Sequence, residues 1–133
     1  MRGFTFGVLL WIGVAFGAQA QDADIRDTID QQLQAFQSDD FGAAFEFASP
    51  SLQTLFQTPE NFRRMVTQGY PMVWRPGAVR YLDLRHEAGT YWQNVMITDQ
   101  AGKAHVLEYR MLQTDSGWRI NGVRFVRQPG ANV

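Results

Sequence analysis

The chain has 133 residues, 45% of them hydrophobic, with 12 Lys and Arg against 13 Asp and Glu and no cysteine. That length supports one domain with an ordinary core, and the lack of cysteine excludes a disulfide-stapled scaffold. A formal net charge of −1, with no basic run and no interleaving of basic and aromatic residues, excludes the electrostatic footprint of a nucleic-acid binder.

Met1 and Arg2 give a short positive start, and Phe4 to Gly17 form a nearly uncharged apolar run containing Val8, Leu9, Leu10, Trp11 and Ile12. Ala18-Gln19-Ala20 then has the small-x-small form of a cleavage site. The expectation is a signal peptide over residues 1–20 and a mature chain from about Gln21, periplasmic or secreted. A membrane-spanning helix needs about 20 apolar residues. This run ends sooner, at Gln19, Gln21 and Asp22, so an uncleaved anchor is the lesser reading and no membrane association is expected after cleavage. No cysteine follows the small residues, which excludes a lipidated N-terminus.

From Asp24, Ile25, Ile29, Leu33 and Phe36 recur at helical spacing between polar residues, predicting a helix over Asp24 to Gln37. Ser38-Asp39-Asp40 offers capping oxygens to a second short helix holding Phe41, Ala44, Phe45 and Ala48, which Ser49-Pro50 ends. Asp39 and Asp40 read as capping residues rather than a catalytic carboxylate pair. Ser51 to Phe56 reads as a turn or short helix. Thr58-Pro59-Glu60 starts the next helix, with Thr58 as cap, proline at the first helical position and Phe62, Met65 and Val66 on one face. Gly69 ends it, and Tyr70 to Gly77 is a proline-punctuated crossing segment too apolar for an ordinary loop.

After Gly77 the period changes to two. Val79 to Glu87, Tyr91 to Asp99, Ala104 to Gln113 and Trp118 to Arg127 predict four strands, and the short links between them predict an antiparallel meander. In the third strand His105, Leu107, Tyr109 and Met111 share the inner face, while Val106, Glu108, Arg110 and Leu112 share the outer one. Trp118 and Ile120 match the inner side, and Gly122 marks a bulge before Val123 and Phe125. The fold class is therefore α+β: N-terminal helices packed on a curved four-stranded antiparallel sheet, as a single domain over residues 21–133.

The segments Gln32 to Phe36, Asp39-Asp40-Phe41 to Pro50, Phe56 to Phe62, Met65-Val66 with Gly69 to Val73, and Gly117 to Val123 resemble the signature stretches of an exported bacterial family, domain of unknown function 4864. The resemblance implies the cone-shaped nuclear transport factor 2-like (cystatin-like) fold and a periplasmic setting, and no activity. The wider superfamily includes isomerase-like and dehydratase-like enzymes as well as inert binding and dimerisation modules, so fold alone does not assign function.

A cone fold leaves a cavity between sheet and helices, where inward polar groups are the first candidates. Tyr109, His105 and Gln93 lie on the inner face, with Tyr70, Trp74 and Trp118 as walls and Arg75 at the mouth, able either to hold an anion or to stack on Trp74. His105 beside Tyr109 is the best acid/base pair the sequence offers, against a simple solvated or core role for each. His86 and His105 are the only histidines, and no metal-ligand spacing, phosphate loop or nucleophile elbow occurs, so no metal or cofactor is expected. The leading expectation is a non-catalytic module that takes a small apolar or amphipathic ligand in the cone, or a partner on the sheet, with a homodimer through Val106, Leu112 and Trp92 as candidate. The alternative is a cofactor-free isomerase or dehydratase using Tyr109 and His105.

Overall fold

The structure, a computed structural model, describes Gly3 and residues 13–126. The first helix, α1 (Gly13–Gln37), starts well before Asp24 and carries Ala18-Gln19-Ala20 within it. Alanine and glutamine stay helical at little cost, and neither proline nor glycine stands between Ala18 and Asp24 to stop the helix. The apolar stretch from Phe4 to Ile12 lies outside the described residues. The buried stripe is the one that the spacing predicts: Ile25, Ile29, Leu33 and Phe36 are all at most 3% exposed.

Three further helices each start on an oxygen placed by the sequence. In α2 (Phe41–Glu46) the Asp40 carboxylate accepts from the Ala43 N–H. In α3 (Pro50–Phe56) the Ser49 hydroxyl accepts from Leu52, and in α4 (Pro59–Gly69) Thr58 accepts from Asn61. Proline follows the cap in both, where its missing N–H costs no helical hydrogen bond. The apolar pattern carries α2 on to Ala48, but the helix stops at Glu46 because Ala48 leaves it to bridge Ile120. The crossing segment contains one helical turn, α5 (Pro71–Trp74).

The strands β1 (Ala78–Glu87), β2 (Thr90–Thr98), β3 (Ala104–Thr114) and β4 (Gly117–Phe125) form one antiparallel sheet in the order β1-β2-β3-β4. β4 ends at Phe125, and Arg127, where the alternation would end it, lies outside the described residues. Two bulges bend the sheet. In β1 the register slips at Leu82-Asp83, between Tyr81 and Leu84. In β4 Asn121 is the extra residue, since Met111 opposes Ile120 while Arg110 opposes Gly122. The second bulge returns Val123 and Phe125 to the inner side, opposite Tyr109 and Leu107.

The inner face, with Val95, Ile97, Leu107, Tyr109, Met111, Trp118 and Ile120, packs against the helices in one core. Each such buried side chain contributes about 1.5–3 kcal/mol relative to exposure. The helical layer is also tied to β4 by backbone: Ser49 N–H donates to Ile120 O and Ile120 N–H to Phe47 O, both at 2.8 Å. The Ser49 hydroxyl meanwhile donates to the bulged Asn121 at 2.7 Å.

Among the described residues no helix covers the outer face, yet Glu108 on it is only 5% exposed. Arg85 and Arg124 fold over its carboxylate, with nitrogen-to-oxygen distances of 2.8 Å from each. Alternation places Glu108 correctly on this face, where a cross-strand partner is open to it; its burial comes from two arginines on other strands, Arg85 and Arg124.

Candidate functional site

Between α1, α3, α4 and the inner face of β3 and β4 the core is incomplete. A cavity of about 280 Å³ remains, with Phe36, Phe56, Phe62, Met65, Tyr70 and Ile120 among its walls. Small side chains help to leave it open: Ala48 and Gly122 both border it, and a Cβ added at Gly122 would meet nothing within 4 Å. Phe62 holds the helical side together, its ring centroid lying 5.7, 5.3 and 5.6 Å from those of Phe36, Phe45 and Phe56. The half-buried Leu52, Phe56, Met65 and Tyr70 lie where this wall meets the surface.

The cavity's polar side chains are few. Gln32, an inward residue between Ile29 and Leu33 on α1, donates through Nε2 to Ala44 O at 3.1 Å. The Tyr70 hydroxyl donates to Val123 O at 3.1 Å. The Tyr109 hydroxyl is fully buried and has no hydrogen-bond partner among the described residues. An unmet buried hydroxyl costs about 1–3 kcal/mol. Burial, and secondarily the nearby Tyr70, push the Tyr109 phenol well above its ordinary pKa, so it stays protonated. Among the described residues no charged side chain borders the cavity.

The family model described as domain of unknown function (DUF4864) matches residues 18–133. The chain belongs to the DUF4864 family. No curated protein matches it. Among solved structures it is similar to an NTF-2 like protein of unknown function from Burkholderia xenovorans LB400, at 14% identity over 83% of this chain and 91% of that one, with a TM-score of 0.48.

The DUF4864 domain sorts the seven candidate residues into three places. Tyr109 and Tyr70 border the cavity. His105, Trp74 and Arg75 instead border a second, shallower depression together with Asp99 and Met72. Gln93 and Trp118 border neither. The Gln93 amide turns to the β1 bulge, donating to Leu82 O at 3.0 Å and Asn94 O at 2.9 Å. Trp118 packs edge-on against Tyr91, at 5.0 Å between centroids.

The pairing of His105 with Tyr109 is not made. Four residues apart on one strand face, they stand about 13 Å apart along β3. His105 Nε2 meets Asp99 Oδ2 at 2.9 Å instead, and Asp99 Oδ1 accepts from the N–H groups of Ala101 and Lys103. Arg75 does not reach out for an anion. Its guanidinium lies 4.4 Å from the Trp74 ring and donates to Asp39 at 2.8 Å and to Phe36 O at 3.0 Å. Asp39 is thus no helix cap: at a positive φ of 55°, it takes the Trp74 indole N–H at 2.8 Å as well. Capping falls to Asp40 alone.

These two carboxylates set an acid limit. The Trp74 indole and then Arg75 hold Asp39 below its ordinary pKa of 3.8, and His105 and then the Lys103 N–H do the same for Asp99. A carboxyl with a lower pKa in the folded state stabilises the fold above its unfolded pKa and loses that contribution as pH falls through the folded one. The urea midpoint is expected to drop as pH is lowered from about 5 to 3, and less steeply in a protein carrying D39N and D99N. Parallel profiles for the two proteins would show that these contacts do not drive the loss.

Proposed function

We propose that this DUF4864 protein is an exported, non-catalytic module that holds a small, mainly apolar ligand in the cavity between its helices and sheet. The observation that carries the reading is the unfilled cavity of about 280 Å³ in the single core. Protein interiors pack as densely as organic crystals, with few voids larger than a water. The hollow opens at Leu52, Phe56, Met65 and Tyr70, and burying its aromatic and aliphatic wall against an apolar ligand is favourable at about 25 cal/mol per Å². The lining also favours binding over proton transfer, because no carboxylate or imidazole among the described residues borders it.

Export rests on the positive start, the apolar run and Ala18-Gln19-Ala20. Gln19 and Ala20, next to the proposed cut, are exposed. A protein partner on the outer sheet face is the second reading, favoured by the half-buried Trp92 and by Leu112, 41% exposed, on a side that no helix among the described residues covers. A native mass spectrum of protein purified from the exported fraction tests both. The expected result is a chain cut after Ala20 that carries a co-purified small molecule. A clean dimer with no bound mass would instead support the sheet surface and count against the cavity.

A further inference from the structure

We infer that Gln21 is a modification site: once the chain is cut after Ala20, its side chain closes on its own α-amine to a pyroglutamyl lactam seated against Tyr91. The inference rests on the export reading above, because only the cut frees that amine. A cut at this point leaves glutamine as the first residue, and the glutamine side chain has the length that a five-membered ring needs. The neutral α-amine attacks Cδ, the Cδ–Nε2 bond breaks, and Nε2 leaves as ammonia with the proton that the amine gives up. No co-reactant is needed. Both groups belong to one residue, so their encounter carries no translational cost. An α-amine with an ordinary pKa of about 8 is partly neutral at physiological pH.

The reacting side chain lies where the product fits. Gln21 stands one turn before the buried Ile25, so the two share the face of α1 that meets the sheet. Gln19 and Ala20 are exposed, whereas Gln21 is half-buried. The Tyr91 hydroxyl of β2 approaches Gln21 Oε1 at 3.4 Å. That oxygen is kept as the lactam carbonyl. The nitrogen that leaves, Nε2, has no hydrogen-bond partner among the described residues, so expelling it breaks no contact. Tyr91 in turn stacks on His86 at 3.9 Å and meets Trp118 edge-on at 5.0 Å, which offers a flat, uncharged ring an aromatic wall. Charge agrees with this. A free ammonium is unfavourable at a helix N-terminus, and the lactam leaves there only the favourable carboxylates of Asp22 and Asp24.

The test is the intact mass and the N-terminal peptide of protein freshly isolated from the exported fraction, beside a synthetic peptide of residues 21–37 carried through the isolation steps alone. The expected result is a chain from residue 21 that is lighter by one ammonia and blocked to stepwise N-terminal degradation. Pyroglutamyl aminopeptidase is expected to remove the block after unfolding, while the synthetic peptide keeps its ammonia. Gln21→Asn is expected to keep it too, since the shorter side chain would have to close a strained four-membered ring. A chain from residue 21 with a free amine, a chain cut at another residue, or equal conversion of protein and peptide would overturn the lactam and leave export standing. A chain that keeps residues 1–20 would remove both. Should Gln21→Asn fail to fold or to be cut, the mass and N-terminal peptide of the parent decide the matter alone.

Discussion

Phe62→Ala is expected to cost the fold about 3–5 kcal/mol, the usual range for deleting a buried aromatic ring. The ring is 4% exposed and touches aromatic partners from α1, α2 and α3 at centroid distances between 5.3 and 5.7 Å. It also forms part of the cavity wall, so its loss would enlarge an existing void, and little compensating collapse is available. For a domain of this size the melting temperature is expected to fall by more than about 10 °C. Leu55→Ala is the control: the side chain lies on the neighbouring α3 but is 69% exposed, and its removal is expected to leave the melting curve in place. Comparable melting temperatures for both variants would show that the aromatic cluster does not organise the helical layer.

Gln93→Leu is expected to be the next most damaging change, at about 1–3 kcal/mol. Leucine fills most of the space and removes the amide, so the loss of its hydrogen bonds dominates over a small repacking cost. Gln93 is 2% exposed, and its amide supplies donors to Leu82 O and Asn94 O. The first of these belongs to the bulge where β1 slips against β2. Without the amide those carbonyls lose their bond to it in a place poorly reached by water. A lower urea midpoint at unchanged slope is the expected signature, since the surface exposed on unfolding stays the same. An unshifted midpoint would mean that the bulge holds itself without the side chain.

What the sequence discloses and what it hides divide along the range of the interactions. Local signals are legible: the Ile25, Ile29, Leu33 and Phe36 stripe, the Thr58 cap before proline, the four strands, and the inner set of β3. All of these follow from spacing along a single element. The roles that depend on distant residues are not. Asp39 looks like a cap until Trp74 and Arg75 arrive from another part of the chain. Gln93 looks like a cavity group until the β1 bulge gives it a structural task. Of the site, Tyr70 and Tyr109 are legible from strand alternation and apolar context. Gln32 carried a readable signal, because a polar residue flanked by Ile29 and Leu33 on a buried stripe must face inward. The void itself depends on Ala48 and Gly122, distant in the chain, both bordering it, which no local pattern announces.

The two outer strands also decide how the chain behaves in company. An open strand edge is a template on which another chain can add a strand and begin a fibre. In β1 the ladder is interrupted at Leu82-Asp83, and Arg80, Asp83, Arg85 and Glu87 place charge along its length. At the opposite side, the backbone of Phe47 and Ser49 already occupies the hydrogen-bonding groups of Ile120 in β4. Both margins are therefore poor seeds for edge-to-edge growth, and a concentrated solution of this protein is protected from strand-by-strand polymerisation by the same bulge and bridge that shape its sheet.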